Sequence, residues 1–352
     1  MPCTMGVFMR NALRRAPGAL IYTPEARPLN TRYFCTLFDS GYLLKGLAMM
    51  RSLARHCPDM RIYVLCMDKQ TKVILEQLDL PFVKCIALAE VENEQLLKVK
   101  GERGVAEYCW TLSSSFTWYV MRNCLEIDLL TYVDADLLFY SDVQPLFEEI
   151  GDASISIIEH RFTPRLRERE VNGRFCVEWD SFRRDEQGLA CLSRWSEQCI
   201  EWCYYRLEDG KMGDQKYLDE WPARYSSCHI LMHPGAGIAP WNYAQYHFDK
   251  DAVGNITVEG APLIFYHFHQ FQLLDNGMFD RLSTFYTSER AEPAAVYEVY
   301  ESALKQCLAE VLMVMPDFKG GMKPVTSVRS RRFVQEFLPM WAKEIARRFL
   351  RY

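Results

Sequence analysis

Between residues 33 and 88 the sequence alternates short apolar runs with amphipathic stretches, and that alternation constrains the fold more than any other feature. Tyr33-Phe34-Cys35-Thr36-Leu37-Phe38 reads as a buried strand, and Asp39-Ser40-Gly41-Tyr42 as the loop after it. Leu43, Leu47, Met50 and Ala54 then share one helical face through His56. A second strand is expected over 61–67, ending at Asp68, then a helix over 71–78 and a third strand over 82–88. Strand, helix, strand, helix at these lengths requires right-handed crossovers, so the expected class is α/β with a Rossmann-like, mostly parallel, doubly wound sheet.

Residues 90–124 are polar at first and then rich in aromatics, and the pattern there is mostly helical. They lead to Leu129-Leu130-Thr131-Tyr132-Val133-Asp134-Ala135-Asp136-Leu137-Leu138-Phe139-Tyr140, the fourth strand, in which two carboxylates interrupt an apolar run. In an extended segment, alternation turns Asp134 and Asp136 to one side and Ala135 to the other. Open α/β sheets bind ligands at the carboxyl ends of their strands. Unpaired carboxylates are costly there, so a hard cation such as Mg²⁺ or Mn²⁺ is their natural partner. The plainer alternative is that both acids only shape a turn, as Asp often does.

Further strands are expected over 153–158, 174–182, 228–232 and 262–268, with helices over 145–149 and 186–206. Residues 1–30 read as an N-terminal extension, 31–290 as the main domain, and 291–352 as a helical appendage with helices over 296–315 and 331–352. The last helix sets Phe333, Phe337, Met340 and Trp341 against Arg331, Arg332, Lys343, Arg347, Arg348 and Arg351. Such a helix can lie on an anionic membrane surface, or pack on the domain with its charges in water.

The formal net charge of −5 gives no global basis for binding nucleic acid. The 13 cysteines include no Cys-x-x-Cys pair, which argues against a zinc module or a disulfide scaffold and favours a reduced, cytoplasmic chain. No stretch approaches the roughly 20 apolar residues of a membrane-spanning helix.

Thr131-Tyr132-Val133-Asp134-Ala135-Asp136-Leu137-Leu138-Phe139 resembles the Asp-x-Asp strand of GT-A fold nucleotide-diphospho-sugar glycosyltransferases. It is most similar to glycosyltransferase family 8, the glycogenin-like and lipopolysaccharide galactosyltransferase-like group. The resemblance implies that Asp134 and Asp136 bind Mn²⁺ or Mg²⁺ and that the metal holds the donor diphosphate. It also implies a nucleotide-binding half over 31–160 and an acceptor half over 161–290. Three further stretches match in order, so the likeness spans roughly residues 33–270.

The first, Asp39-Ser40-Gly41-Tyr42, resembles the donor-nucleotide pocket: Asp39 can accept from a base or ribose and Tyr42 can stack on the base, unless the stretch is only a polar turn. The second, Asp214-Gln215-Lys216-Tyr217-Leu218, resembles the Asp-Gln stretch beside the reacting anomeric carbon. There Asp214 would orient sugar hydroxyls and Gln215 would offer a carbonyl oxygen to an oxocarbenium-like centre; the alternative is a helix cap by Asp214. The third, Phe265-Tyr266-His267-Phe268-His269-Gln270, resembles the His-Phe-x-Gly segment whose His is the third metal ligand. His267 occupies that position, or His269 if the register shifts, whereas a lone His on an apolar strand is more often a core residue. Gln270 stands where the family has Gly and no Lys-Pro-Trp follows, which leaves the phosphate-contacting lysine unassigned.

The run from His233 to Asn242 is similar to sequences of bacterial glycosyltransferases from surface-polysaccharide clusters. Its glycines permit close backbone approach to a ligand, and Trp241 and Asn242 are candidates for contact with the donor sugar or the acceptor. Together these matches imply a metal-dependent transferase that moves a sugar from a nucleotide donor, a UDP-sugar above all, to a glycan or lipid-linked saccharide hydroxyl. Retention of configuration follows from the resemblance alone, and the basic last helix would add peripheral contact with the inner membrane surface unless, as is commoner for such helices, it packs on the domain with its charges in water. A catalytically degenerate, nucleotide-sugar-binding subunit is one alternative. An aspartate-dependent phosphohydrolase is another, disfavoured because Asp136 is followed by Leu137-Leu138-Phe139 and three strands precede it.

Overall fold

The structure, a computed structural model, describes residues 31–282, 286 and 290–326. It is a mixed α/β fold built on a seven-stranded, mostly parallel sheet. The opening alternation forms as expected: β1 (Arg32–Phe38), α1 (Leu43–His56), β2 (Met60–Cys66), α2 (Lys69–Leu78) and β3 (Val83–Ala87). After α3 (Leu88–Val91), α4 (Glu94–Lys100) and α5 (Val105–Asn123), the chain returns as β4 (Leu129–Val133) beside β1. It continues through β5 (Leu137–Phe139), α6 (Gln144–Ile150), β6 (Ile155–Glu159), β7 (Phe175–Arg183), α7 (Glu186–Glu201) and β8 (Cys228–Leu231). The sheet order is β3-β2-β1-β4-β7-β6-β8, with β7 antiparallel to both neighbours. The sheet therefore draws strands from both proposed halves of the domain.

Strand alternation divides the core. Phe34 and Phe38 of β1 and Ile62 and Val64 of β2 face α1, while Cys35, Leu37, Tyr63 and Leu65 face α5 and α7. A strand covered on both faces has no polar side, which is why these runs lack polar alternation in the sequence. The helix Ala294–Val314, expected in an appendage, packs in the first of these layers. Its Tyr300 ring stacks on Phe268 at 3.7 Å between centroids, Tyr297 and Tyr266 share a hydrogen bond of 3.0 Å, and Glu310 pairs with Arg51 at 2.5 Å. The N-terminal extension and the basic helix over 331–352 lie outside the described residues.

The expected fourth strand is not continuous. β4 stops at Val133, residues 134–136 form a turn, and β5 leaves the main sheet to pair antiparallel with Phe265–His267. The strand-alternation argument for the two acids is therefore corrected: a turn, not a pleat, presents them. The turn is held on both sides, since Asp134 N–H donates to the Glu178 carbonyl (3.3 Å) and Asp136 C=O accepts from Phe268 N–H (2.8 Å).

Candidate active site

The β5 pairing sets His267 opposite Leu137, one residue beyond Asp136. Its Nε2 lies 3.1 Å from Asp136 Oδ1 and 3.8 Å from Asp134 Oδ2, while Nδ1 lies 2.6 Å from Glu178 Oε2. All four groups sit at the carboxyl end of β4. Tyr132 Oη donates to Asp134 Oδ1 (3.1 Å) and orients it. His269, two residues on, brings a ring nitrogen close enough that Asp136, His267 and His269 offer three ligand atoms within 4.8 Å of one another.

The charges are lopsided. Asp134, Asp136, Glu178, Asp180 and Asp214 gather here, and Glu178 Oε1 and both oxygens of Asp180 are buried with no hydrogen-bond partner. Burial pushes the Asp180 pKa well above the carboxylate range, and the Asp214, Asp134 and Glu178 charges add to that. Burial would also raise Asp136, but the adjoining His267 and Lys45 hold it well below that range. Burial would lower His267, and its bonds to Asp136 and Glu178 outweigh this and raise it well above the ordinary value. Such an acidic pocket, with orphaned oxygens and two imidazoles, fits a hard divalent cation.

The other motif residues are arranged around this centre. In the loop after β1, Asp39 Oδ1 accepts from Tyr42 N–H (3.1 Å). Asp68 fixes the loop, accepting from Ser40 N–H (2.7 Å) while capping α2 through Thr71 N–H (2.7 Å). Tyr42, 43% exposed, lies under the Lys45 ammonium at 4.5 Å. Asp214 makes no capping hydrogen bond to the turn Gln215–Glu220. Instead its Oδ2 accepts from Ser113 Oγ of α5 (2.8 Å), its carbonyl accepts from Trp195 of α7 (3.0 Å), and burial pushes its pKa up to about 6. Gln215 donates through Nε2 to the Asn172 carbonyl (2.9 Å).

Trp241 and Asn242 are placed differently from the sequence expectation. The Trp241 ring is 4% exposed and packs edge-on against His267 (5.2 Å) and against His269 (5.7 Å), forming a wall behind the imidazoles rather than an open platform. Asn242 is fully buried and clamps its own loop, donating to the His160 and Gly237 carbonyls (2.8 and 2.7 Å) and accepting from Ala239 N–H (2.9 Å). The close approach at Gly235 is to protein as well: a Cβ there would fall 1.9 Å from the Pro262 carbonyl oxygen.

Glu178 and Asp180 were not singled out in the sequence, although Val177-Glu178-Trp179-Asp180 carries the signal seen at residues 134 and 136, two acids alternating in an apolar strand. Gln270, where the resemblance expected glycine, takes φ +61, a left-handed backbone that glycine adopts freely and glutamine does not. Gln270→Gly is therefore expected to be neutral or to stabilise by up to about 1 kcal/mol, read from the urea midpoint at constant m-value. A loss of more than that would show that the Gln270 side chain contributes to the fold.

This chain is thus an α/β protein with a carboxylate–histidine centre at the carboxyl edge of its sheet. No family model matches it. It belongs to the family of the uncharacterized Bacillus subtilis (strain 168) proteins YfnF and YfnD. It is 33% identical to YfnF over 299 residues (82% of this chain, 97% of YfnF) and 31% identical to YfnD over 311 residues (87% and 99%). Among solved structures, mouse xyloside xylosyltransferase 1 in its apo form is similar at 15% identity and a TM-score of 0.44, over 68% of this chain and 98% of that one. The galactosyltransferase LgtC, in complex with donor and acceptor sugar analogs, is similar at 12% identity and a TM-score of 0.44, over 85% and 99%. Neither likeness assigns a function to this chain.

Proposed function

We propose that the chain is a metal-dependent glycosyltransferase of the GT-A fold, of the family 8 kind. It moves a sugar from a nucleotide donor, a UDP-sugar above all, to a saccharide hydroxyl with retention of configuration. One observation supports the reading most: a histidine some 130 residues along the chain stands against both carboxylates of the Asp-x-Asp turn, as the ordered motifs require. A random Asp-x-Asp turn has no reason to meet a histidine that another acid orients.

Asp134, Asp136 and His267 would hold Mn²⁺ or Mg²⁺, with His269 beside them. When bound, the cation supplies Lewis acidity that neutralises the leaving diphosphate. Tyr132 fixes the Asp134 carboxylate and Glu178 fixes the His267 ring, through their hydrogen bonds. Asp39 and Tyr42 would meet the nucleotide. Asp214, held by Ser113, would orient sugar hydroxyls, and Gln215, its amide nitrogen already bonded to Asn172, would turn its carbonyl oxygen to the anomeric centre. Trp241 and Asn242 would act through packing, by holding the imidazoles and the 237–242 loop.

A glycan or lipid-linked saccharide acceptor, in surface-polysaccharide synthesis on the cytoplasmic face of the membrane, completes the proposal. No described helix is long and apolar enough to cross a membrane. The degenerate-subunit reading is weaker, and what supports the active reading against it is that His267 stands against both Asp134 and Asp136.

A thermal-shift panel of nucleotide sugars, each with and without Mn²⁺, tests the reading. Stabilisation by one donor only when metal is present is the expected result, and no response to any donor would sink it. Glu178→Gln should weaken Mn²⁺ binding about tenfold, measured by titration calorimetry, because an amide no longer holds the imidazole as a charged acceptor does. Unchanged affinity would leave Glu178 as filler of a buried strand.

A further inference from the structure

Cys176 and Glu178 stand two residues apart on β7, and neither lies in a motif read from the sequence. Cys176 Sγ, a Glu178 carboxylate oxygen and a His267 ring nitrogen lie within 4.8 Å of one another, and all three residues are buried. Glu178 meets the ring at Nδ1 (2.6 Å), whereas Asp136 meets it at Nε2 (3.1 Å), so the two acids stand on opposite edges of one imidazole.

Cys176 is a free thiol packed with Ala239, Trp241 and Tyr286, and Trp241 closes edge-on upon His267 at 5.2 Å. A buried thiol in such surroundings is often no more than a small apolar side chain. Two features set this one apart. A carboxylate and an imidazole, both metal-ligating groups, are within reach of its sulfur. Glu178 is also fully buried with Oε1 unpartnered, and a strand interior leaves such an acceptor bare only unfavourably. Sulfur, nitrogen and oxygen donors converging on one point are the ligand set of Zn²⁺, a borderline-soft ion. Such a set binds Zn²⁺ more tightly than Mn²⁺.

We propose that Cys176, Glu178 and His267 Nδ1 form a second metal site, selective for Zn²⁺, whose occupation closes the Mn²⁺ site by taking His267 from it. The zinc site itself stands on these three residues, and its competition with Mn²⁺ rests on the metal reading given under the proposed function. Sγ, a Glu178 oxygen and Nδ1 bind the ion, and water takes the fourth position. The thiol proton and the Nδ1 proton pass to solvent as those bonds form. Nε2 keeps the remaining ring proton, donates it to Asp136, and has no lone pair to offer a second cation.

Co²⁺, whose thiolate complexes absorb in the near ultraviolet, serves as the spectroscopic stand-in for Zn²⁺ on the full, reduced, metal-free chain. A charge-transfer band is expected in the wild type and should be lost in Cys176→Ser and Cys176→Ala; other cysteines would give a band that both variants keep. Two variants are used, with circular dichroism as the check on folding, so that failure of one leaves the other. In titration calorimetry each folded variant should bind Zn²⁺ at least about tenfold more weakly, as expected for one lost thiolate ligand, and Mn²⁺ within about twofold of the wild type. Zn²⁺ can also replace Mn²⁺ directly on Asp134 and Asp136, which needs no thiol, so the deciding comparison is the Zn²⁺ concentration that halves Mn²⁺ binding. It should be at least about tenfold higher in the variants. No band in the wild type, a band that survives in the folded variants, or equal Zn²⁺ concentrations would each overturn the proposal. A wild type that shows the Cys176-dependent band but binds no Mn²⁺ keeps the zinc site and overturns the metal reading on which the competition rests.

Discussion

Replacing Asp136 with asparagine should lower sugar transfer by on the order of 10³-fold or more while leaving the protein folded. Asp136 is 6% exposed, meets His267 at hydrogen-bond distance (3.1 Å) and also faces Lys45 (3.7 Å). His267 and Lys45 keep it ionised despite its burial. Asparagine keeps the shape but removes the charge that a hard cation needs. The fold should survive, since the turn is held by backbone hydrogen bonds from Phe268 and to Glu178, and His267 keeps its bond to Glu178. Steady-state transfer with Mn²⁺ measures the first effect, and loss of the Mn²⁺-dependent rise in Tm measures the second. Near-wild-type transfer by Asp136→Asn would end the metal assignment.

Asp214→Asn should separate stability from activity. Burial raises the Asp214 pKa to about 6 from its ordinary value of 3.8, so the folded state binds its proton more tightly than the unfolded chain does. The sign follows from that order. Below about pH 4 the residue is neutral in both states and costs nothing, and as pH rises from 4 through 6 the wild type pays up to about 3 kcal/mol to ionise a buried group. Asparagine can still accept from Ser113 and never ionises. The variant should therefore be more stable than the wild type at pH 7 in the absence of metal, with the gap closing towards pH 4, as read from urea midpoints across that range. Transfer should fall at least about 10²-fold, because a neutral amide orients sugar hydroxyls poorly. A variant that is no more stable at pH 7 would mean that Asp214 is better solvated or paired than its 6% exposure suggests. A variant that transfers normally would remove Asp214 from the chemistry.

Local patterns carried much of this architecture. Apolar runs and one-faced helices predicted β1, α1, β2, α2 and β3 to within about two residues, because each element buries a face that its own sequence must supply. The same rule marked Asp134 and Asp136, since charge inside an apolar run is costly unless something uses it. It should have marked Glu178 and Asp180 on β7 as well.

What local pattern could not carry was adjacency. That β4 breaks at Val133 and that β5 crosses to pair with Phe265–His267 depends on a partner strand some 130 residues away, and a turn and a strand end can read alike from their own residues. Trp241 looked like an open platform because nothing in its neighbours shows that His160, His267 and His269 close around it. Lys45 reads as an ordinary residue of an amphipathic helix, and only the tertiary structure sets it 3.7 Å from Asp136. The sequence by itself determined the α/β class, the parallel core of the sheet and the acid pair Asp134 and Asp136 at the end of its fourth strand, because these follow from which face each short segment must bury. The tertiary structure alone decided which imidazole meets the acids, which carboxylates stand behind it and where the cations lie, because those are through-space distances that chain order does not encode.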